Sequence, residues 1–135
     1  VPLPLTTSTE SFSFPSIKKV LLVDSNPFIS KQLGKIIARL NHLSMGCVSS
    51  IESIEECIQI KAPDLIIINI ESKGSLDGYQ IAKILKLDYE IPFYILYREE
   101  NLEQKKWAEE LNPDGFLLYS SNNSILQNQL QLLLH

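Results

Sequence analysis

The sequence is short of the residues that build metal centres and reactive thiols. It has two cysteines, Cys47 and Cys57, and two histidines, His42 and His135. Neither pair has metal-ligand spacing, so both cysteines read as small buried hydrophobes. Basic clusters are missing too. No Lys/Arg run exceeds two residues and the net charge is −4, which leaves no electrostatic footprint for nucleic acid. No apolar run approaches the length of a membrane span, and no signal-peptide pattern opens the chain. The loop over residues 24–27 has no Ser/Thr/Gly-rich phosphate cradle, which argues against a flavin site, and no nucleophile–base pair is recognisable. These absences leave a cytoplasmic, non-enzymatic protein that touches neither membrane nor nucleic acid.

What is present is an ordinary globular composition, with 44% apolar and 21% charged residues in a chain of 135. That length makes one domain with a real core. Residues 1–16, VPLPLTTSTESFSFPS, mix proline, serine and threonine without a periodic apolar face and read as a flexible linker or tail. Phe12 and Phe14 are the residues in it that could pack on a surface. The first residue is Val rather than Met, which predicts a segment of a longer protein. Residues 17–135 then form the domain.

Its organising stretch is Lys61-Ala-Pro-Asp-Leu-Ile-Ile-Ile-Asn-Ile70. The run is too short for a helix, rich in β-branched residues and punctuated by Pro63 and Asp64, so it predicts a strand buried on both faces. Val20-Leu-Leu-Val23 has the same character and also ends in a polar residue, Asp24. Strands are predicted over 18–23, 43–48, 65–70, 93–97 and 116–119. Between them come helices capped by Ser25 or Asn26 with Pro27 in the first turn, by Ser49 with Glu52 as a capping box, and a charged helix over 102–111. Leu102, Trp107 or Ala108, and Leu111 are expected to form the inner side of that charged helix. A last helix is predicted from Ser124. Five alternations imply a flavodoxin-like (βα)5 three-layer sandwich with a parallel sheet of order 2-1-3-4-5. Asp24 and Asn69 then meet at the carboxyl edge of the sheet, where ligands of open α/β sheets bind.

The motifs Lys19-Val-Leu-Leu-Val-Asp24, Ser25-Asn-Pro27, Pro63-Asp-Leu-Ile66, Asp77-Gly78, Ile91-Pro92 and Asp114-Gly-Phe116, in this order, resemble the receiver domain of two-component response regulators. The resemblance covers about residues 17–135. It implies a pair of acids after strand 1, a phosphate-accepting Asp after strand 3, a Ser/Thr after strand 4 and a Lys after strand 5, working with Mg²⁺. This sequence departs from that set. Asp24 keeps the first acidic place, Ser25 stands at the second, and Asn69 holds the acceptor position with an amide that cannot form an acyl phosphate. Tyr97 replaces the small hydroxyl residue, Phe116 the switch aromatic, and Tyr119 the lysine, so the compensating cation is expected to be gone. Asp24 alone is a weak Mg²⁺ candidate, and no metal or cofactor is expected.

The resemblance therefore implies a pseudo-receiver, a non-phosphorylatable interaction module in a bacterial phosphorelay. Its partner would be a histidine kinase or regulator domain, in cis or in trans. It could also be a second copy through the face of helix 4, strand 5 and helix 5, where Ile125 and Leu132 add apolar area. Two alternatives stay open. One is an atypical receiver phosphorylated at Ser72, Ser25 or Asp24 with Mg²⁺, and the other a small-ligand sensor using a hollow near Asp24, Asn69 and Tyr97.

Overall fold

A computed structural model describes residues 17–48, 50–71 and 78–134. Residues 1–16, which carry the predicted tail, lie outside these, as do Ser49, residues 72–77 with Ser72 and Asp77, His135, and the side chains of Cys47 and Tyr79. The strands are β1 (Lys19–Val23), β2 (Leu43–Val48), β3 (Leu65–Asn69), β4 (Phe93–Tyr97) and β5 (Gly115–Leu118). They alternate with α1 (Pro27–Arg39), α2 (Ile51–Lys61), α3 (Gly78–Asp88), α4 (Leu102–Glu109) and α5 (Asn123–Leu134). Every strand pair is parallel and the order is β2-β1-β3-β4-β5, as the alternation implies.

The pleat of β1 and β3 divides the core. Val20, Leu22, Leu65 and Ile67 face one side, where Ile29, Leu33, Ile36 and Ile37 of α1 and Leu126, Leu130 and Leu134 of α5 cover them. Leu21, Val23, Ile66 and Ile68 face the other, against Ile54 and Cys57 of α2, Ile81 and Leu85 of α3, and Ala108 of α4. Central strands sandwiched this way have no solvent face, which is why their sequences are continuous apolar runs.

Helix entries follow local chemistry. Asn26 caps α1, its side-chain oxygen accepting from the Phe28 N–H at 2.9 Å, with Pro27 in the first turn. The cap of α2 is Ser50 rather than the expected Ser49, because the Ser50 hydroxyl reaches the Ser53 N–H at 3.2 Å. One further expectation is corrected around α4. A 3-10 turn over Glu99–Asn101 precedes it. The buried Asn101 holds this turn, accepting from the Arg98 N–H and donating to Gln104, both at 2.9 Å. The helix that follows points Ala108 inward and leaves Leu102 and Trp107 more than half exposed. Leu102 is therefore not an inner residue. Strand ends shift by one residue: β3 stops at Asn69, and β5 covers Gly115–Leu118 so that Tyr119 follows the strand.

Gly115 pairs with Tyr94 on β4, and a Cβ at Gly115 would stand 2.7 Å from the Tyr94 ring. Glycine here makes room for an aromatic lying over the neighbouring strand. Gly115→Ala is expected to cost about 1–2 kcal/mol in urea unfolding, as overpacking does. In a Tyr94→Ala background the same change should cost almost nothing; an equal cost there would show that the ring is not the obstacle.

Candidate functional site at the carboxyl edge of the sheet

β1 and β3 run side by side and in register, Val23 against Ile68, so the residues that follow, Asp24 and Asn69, meet at the sheet edge. Both are buried, with 4% and 5% exposure. Asn69 Nδ2 donates to Asp24 Oδ1 at 3.1 Å, and the same oxygen accepts from the Asn26 N–H at 2.9 Å. Asn69 Oδ1 is committed elsewhere, accepting from the Glu71 N–H at 2.9 Å. This local turn fixes which way the amide points: its oxygen goes to the backbone of its own loop and its NH2 to Asp24. Burial pushes the Asp24 carboxyl above the ordinary carboxylate value; the Asn26 backbone, the Asn69 amide, the Ser25 backbone and the Arg98 charge pull the other way.

The other expected site residues gather at the same edge. Tyr97 ends β4 and meets Phe116 edge to face, with ring centroids 6.0 Å apart at 86°. Lys105 of α4 brings its ammonium within 4.8 Å of the Tyr97 ring centre and 5.0 Å of the Phe116 ring centre. Tyr119 follows β5, its N–H donating to the Tyr97 carbonyl at 2.8 Å. Its hydroxyl donates to Gln32 Oε1 at 2.8 Å, tying the end of β5 to α1. Ser25 is exposed beside Asp24.

Sequence reasoning missed Arg98. The resemblance puts Tyr119 where the family has a lysine, yet the edge is not without a cation. Arg98, one residue past β4, lies 3.6 Å from Glu71 and stacks its guanidinium 5.2 Å from the Tyr119 ring centre. Its charge also acts on Asp24. The available signal was a basic residue next to a strand end, on the loop that faces the pocket.

The Mg²⁺ of the resembled family needs several oxygens carrying negative charge. Here one Asp24 oxygen already takes two N–H donors, Asn69 turns nitrogen rather than oxygen toward it, and Arg98 adds positive charge. Among the described residues no group of three His, Cys, Asp or Glu side chains could hold a metal. The described residues do not fit the ion. The cavity of about 360 Å³ that reaches Tyr119 lies between α1 and the start of α5, beside Phe28, Lys31 and Gln32, and neither Asp24, Asn69 nor Tyr97 lines it.

No protein-family model matches the chain. In sequence it is similar to the heme response regulator HssR of Staphylococcus saprophyticus, 29% identical over 97 residues. That alignment covers 72% of this chain and 42% of the relative, so the chain spans less than half the length of the curated relative it matches. In structure it resembles the receiver domain of a modulated diguanylate cyclase from Desulfovibrio desulfuricans, with TM-score 0.74 and 22% identity over 89% of this chain and 95% of that one. It also resembles the BeF3-activated receiver domain of Klebsiella pneumoniae RstA (TM-score 0.73, 19% identity, 87% and 98% covered). The chemotaxis response regulator CheY4 of Vibrio cholerae is similar again (TM-score 0.71, 19% identity, 87% and 98% covered). What these likenesses define is the fold, that of a receiver domain, with five parallel strands in the order β2-β1-β3-β4-β5. No helix among the described residues is long and apolar enough to cross a membrane.

Proposed function

We propose that this domain is a pseudo-receiver, which takes part in two-component or phosphorelay signalling by binding a partner and not by accepting a phosphoryl group. The observation that carries the reading is the state of Asn69. Its amide occupies the end of the central strand, cannot act as a carboxylate nucleophile, and is held between Asp24 and the Glu71 backbone. Supporting it, the edge carries its own cations: Arg98 lies beside Glu71 and acts on Asp24, and the Tyr97, Phe116 and Tyr119 rings are stacked with Arg98 or Lys105. A phosphoryl group would have to displace these contacts. Residues 17–135 form the signalling unit in this reading, with 1–16 as a linker or tail.

The partner is a histidine kinase or regulator domain, in the same polypeptide or another, in the cytoplasm. Exposed Leu102 and Trp107 on α4, with Ile125 and Leu132 on α5, supply apolar area for it or for a second copy. Partner occupancy would bias an existing conformational equilibrium in place of phosphorylation.

The test is an amide NMR titration with Mg²⁺ and then beryllofluoride, a phosphoryl mimic. The expected result is no saturable shift at Asp24, Asn69 or Tyr119 with either. Saturable shifts with both would make the domain a working, atypical receiver.

A further inference from the structure

The outer surfaces of α1 and α2 carry opposite charge. α1, PFISKQLGKIIAR, has Lys31, Lys35 and Arg39 and no acid, whereas α2, IESIEECIQIK, has Glu52, Glu55 and Glu56 against the single base Lys61. Lys31, Lys35, Glu52 and Glu56 are all exposed, and none of them forms an ion pair among the described residues. Each charged stripe also ends in an apolar side chain that faces water: Phe28 is 73% exposed on α1 and Ile60 71% exposed on α2.

The space beside α1 suits a helix. A groove of about 730 Å³ runs between α1 and the edge strand β2, lined by Phe28, Lys31 and Lys35 with the small residues Gly34, Ala38 and Gly46. Small residues at a contact let a second helix axis come close. The spacing of the stripes matches as well. At 1.5 Å per residue, Lys31 and Lys35 stand about 4.5 and 10.5 Å along α1 from Phe28, and Glu56 and Glu52 about 6 and 12 Å back along α2 from Ile60. Laid antiparallel, the stripes put Ile60 by Phe28, Glu56 by Lys31 and Glu52 by Lys35, each pair level to within about 1.5 Å. The two helices of one chain cannot meet in this way, because α1 packs on one face of the sheet and α2 on the other. The complementary α2 has to come from a second copy.

We propose that this domain associates head to tail, with α2 of one copy lying antiparallel along the α1–β2 groove of the next. Each pair leaves one α1 and one α2 free at its two ends, so the contact extends instead of closing at two subunits. Two short helical stripes make a small interface, which predicts weak, concentration-dependent association. Its charged part is screened by salt. The contact uses neither the sheet edge at Asn69 nor the exposed residues of α4 and α5, and so it stands whether or not the domain accepts a phosphoryl group.

Sedimentation equilibrium of the full chain between about 20 μM and 1 mM tests it. The weight-average mass should climb past that of two chains and fall back as salt is raised from about 0.05 to 0.5 M. Lys31→Glu/Lys35→Glu and Glu52→Lys/Glu56→Lys should each weaken association by about tenfold or more, since like charges then face each other. All four changes in one chain leave the net charge at −4 and should restore association. Ile60→Ser should weaken it without altering any charge. On dilution, amide shifts are expected at Lys31, Gly34, Glu56 and Ile60. A mass that stays at one chain throughout, or stops at two, would overturn the proposal. So would association indifferent to either reversal, a fourfold variant as dissociated as the reversed pairs, or dilution shifts confined to α4 and α5.

Discussion

Replacing Asn69 by Asp is expected to cost roughly 3 kcal/mol of unfolding free energy at neutral pH, the scale of losing one partner of a buried polar pair. The change is nearly isosteric, so volume is not the cause. Asn69 Nδ2 donates to Asp24 Oδ1 at 3.1 Å with both side chains buried. An aspartate at this position loses the donor and sets a second carboxylate about 3 Å from the first. Two carboxylates that close share a proton. The folded variant would then bind a proton near neutral pH that the unfolded chain does not, and linkage makes its stability rise as pH falls. Urea unfolding at pH 7.5 and 5.5 reads both effects. A variant as stable as the natural chain at pH 7.5 would mean that the amide nitrogen does not face Asp24. Under the proposed reading the cost also bears on function, because an aspartate here would enter a pair and a turn built around an amide.

The sheet was legible because its signal is local. Two runs of four apolar residues, each ending in a polar one, specify central strands, and parallel order brings those polar ends together. Asp24 and Asn69 could therefore be paired before any coordinates. The errors fall where a contact depends on a turn or on a long side chain. Ser50 caps α2 because of a backbone angle that neighbouring serines do not distinguish in sequence. Leu102 points outward because the 3-10 turn held by Asn101 resets the helical phase. Arg98 joins the site through a long, rotatable side chain stacked on Tyr119, a residue 21 positions away in the chain. Alignment to a motif counts which residue stands at a position, and so records a lost lysine; it does not see a cation arriving from an adjacent loop.

Asp24→Asn should move stability the other way, by about 1 kcal/mol in favour of the folded state at neutral pH, as happens when an imperfectly compensated buried charge is removed. An asparagine at this position keeps an oxygen for the Asn26 N–H and the Asn69 amide. It removes a charge that burial disfavours, since the Asp24 carboxyl is held above its ordinary value of 3.8. For an acid whose folded value is raised, the folded state keeps its proton longer than the unfolded chain. Ionisation therefore costs stability as pH rises from 3.8 to the folded value, and the cost is constant above it. The advantage of Asp24→Asn should be absent at pH 3, grow through that window and then level off. In the double variant with Asn69→Asp, one amide and one carboxylate face each other again with roles exchanged, and 2–3 kcal/mol of the single-variant loss should return, on the order expected for directly coupled neighbours. A loss that simply adds would dissolve the pair. If Asp24→Asn does stabilise the fold, selection for folding alone does not account for a carboxyl group at this position.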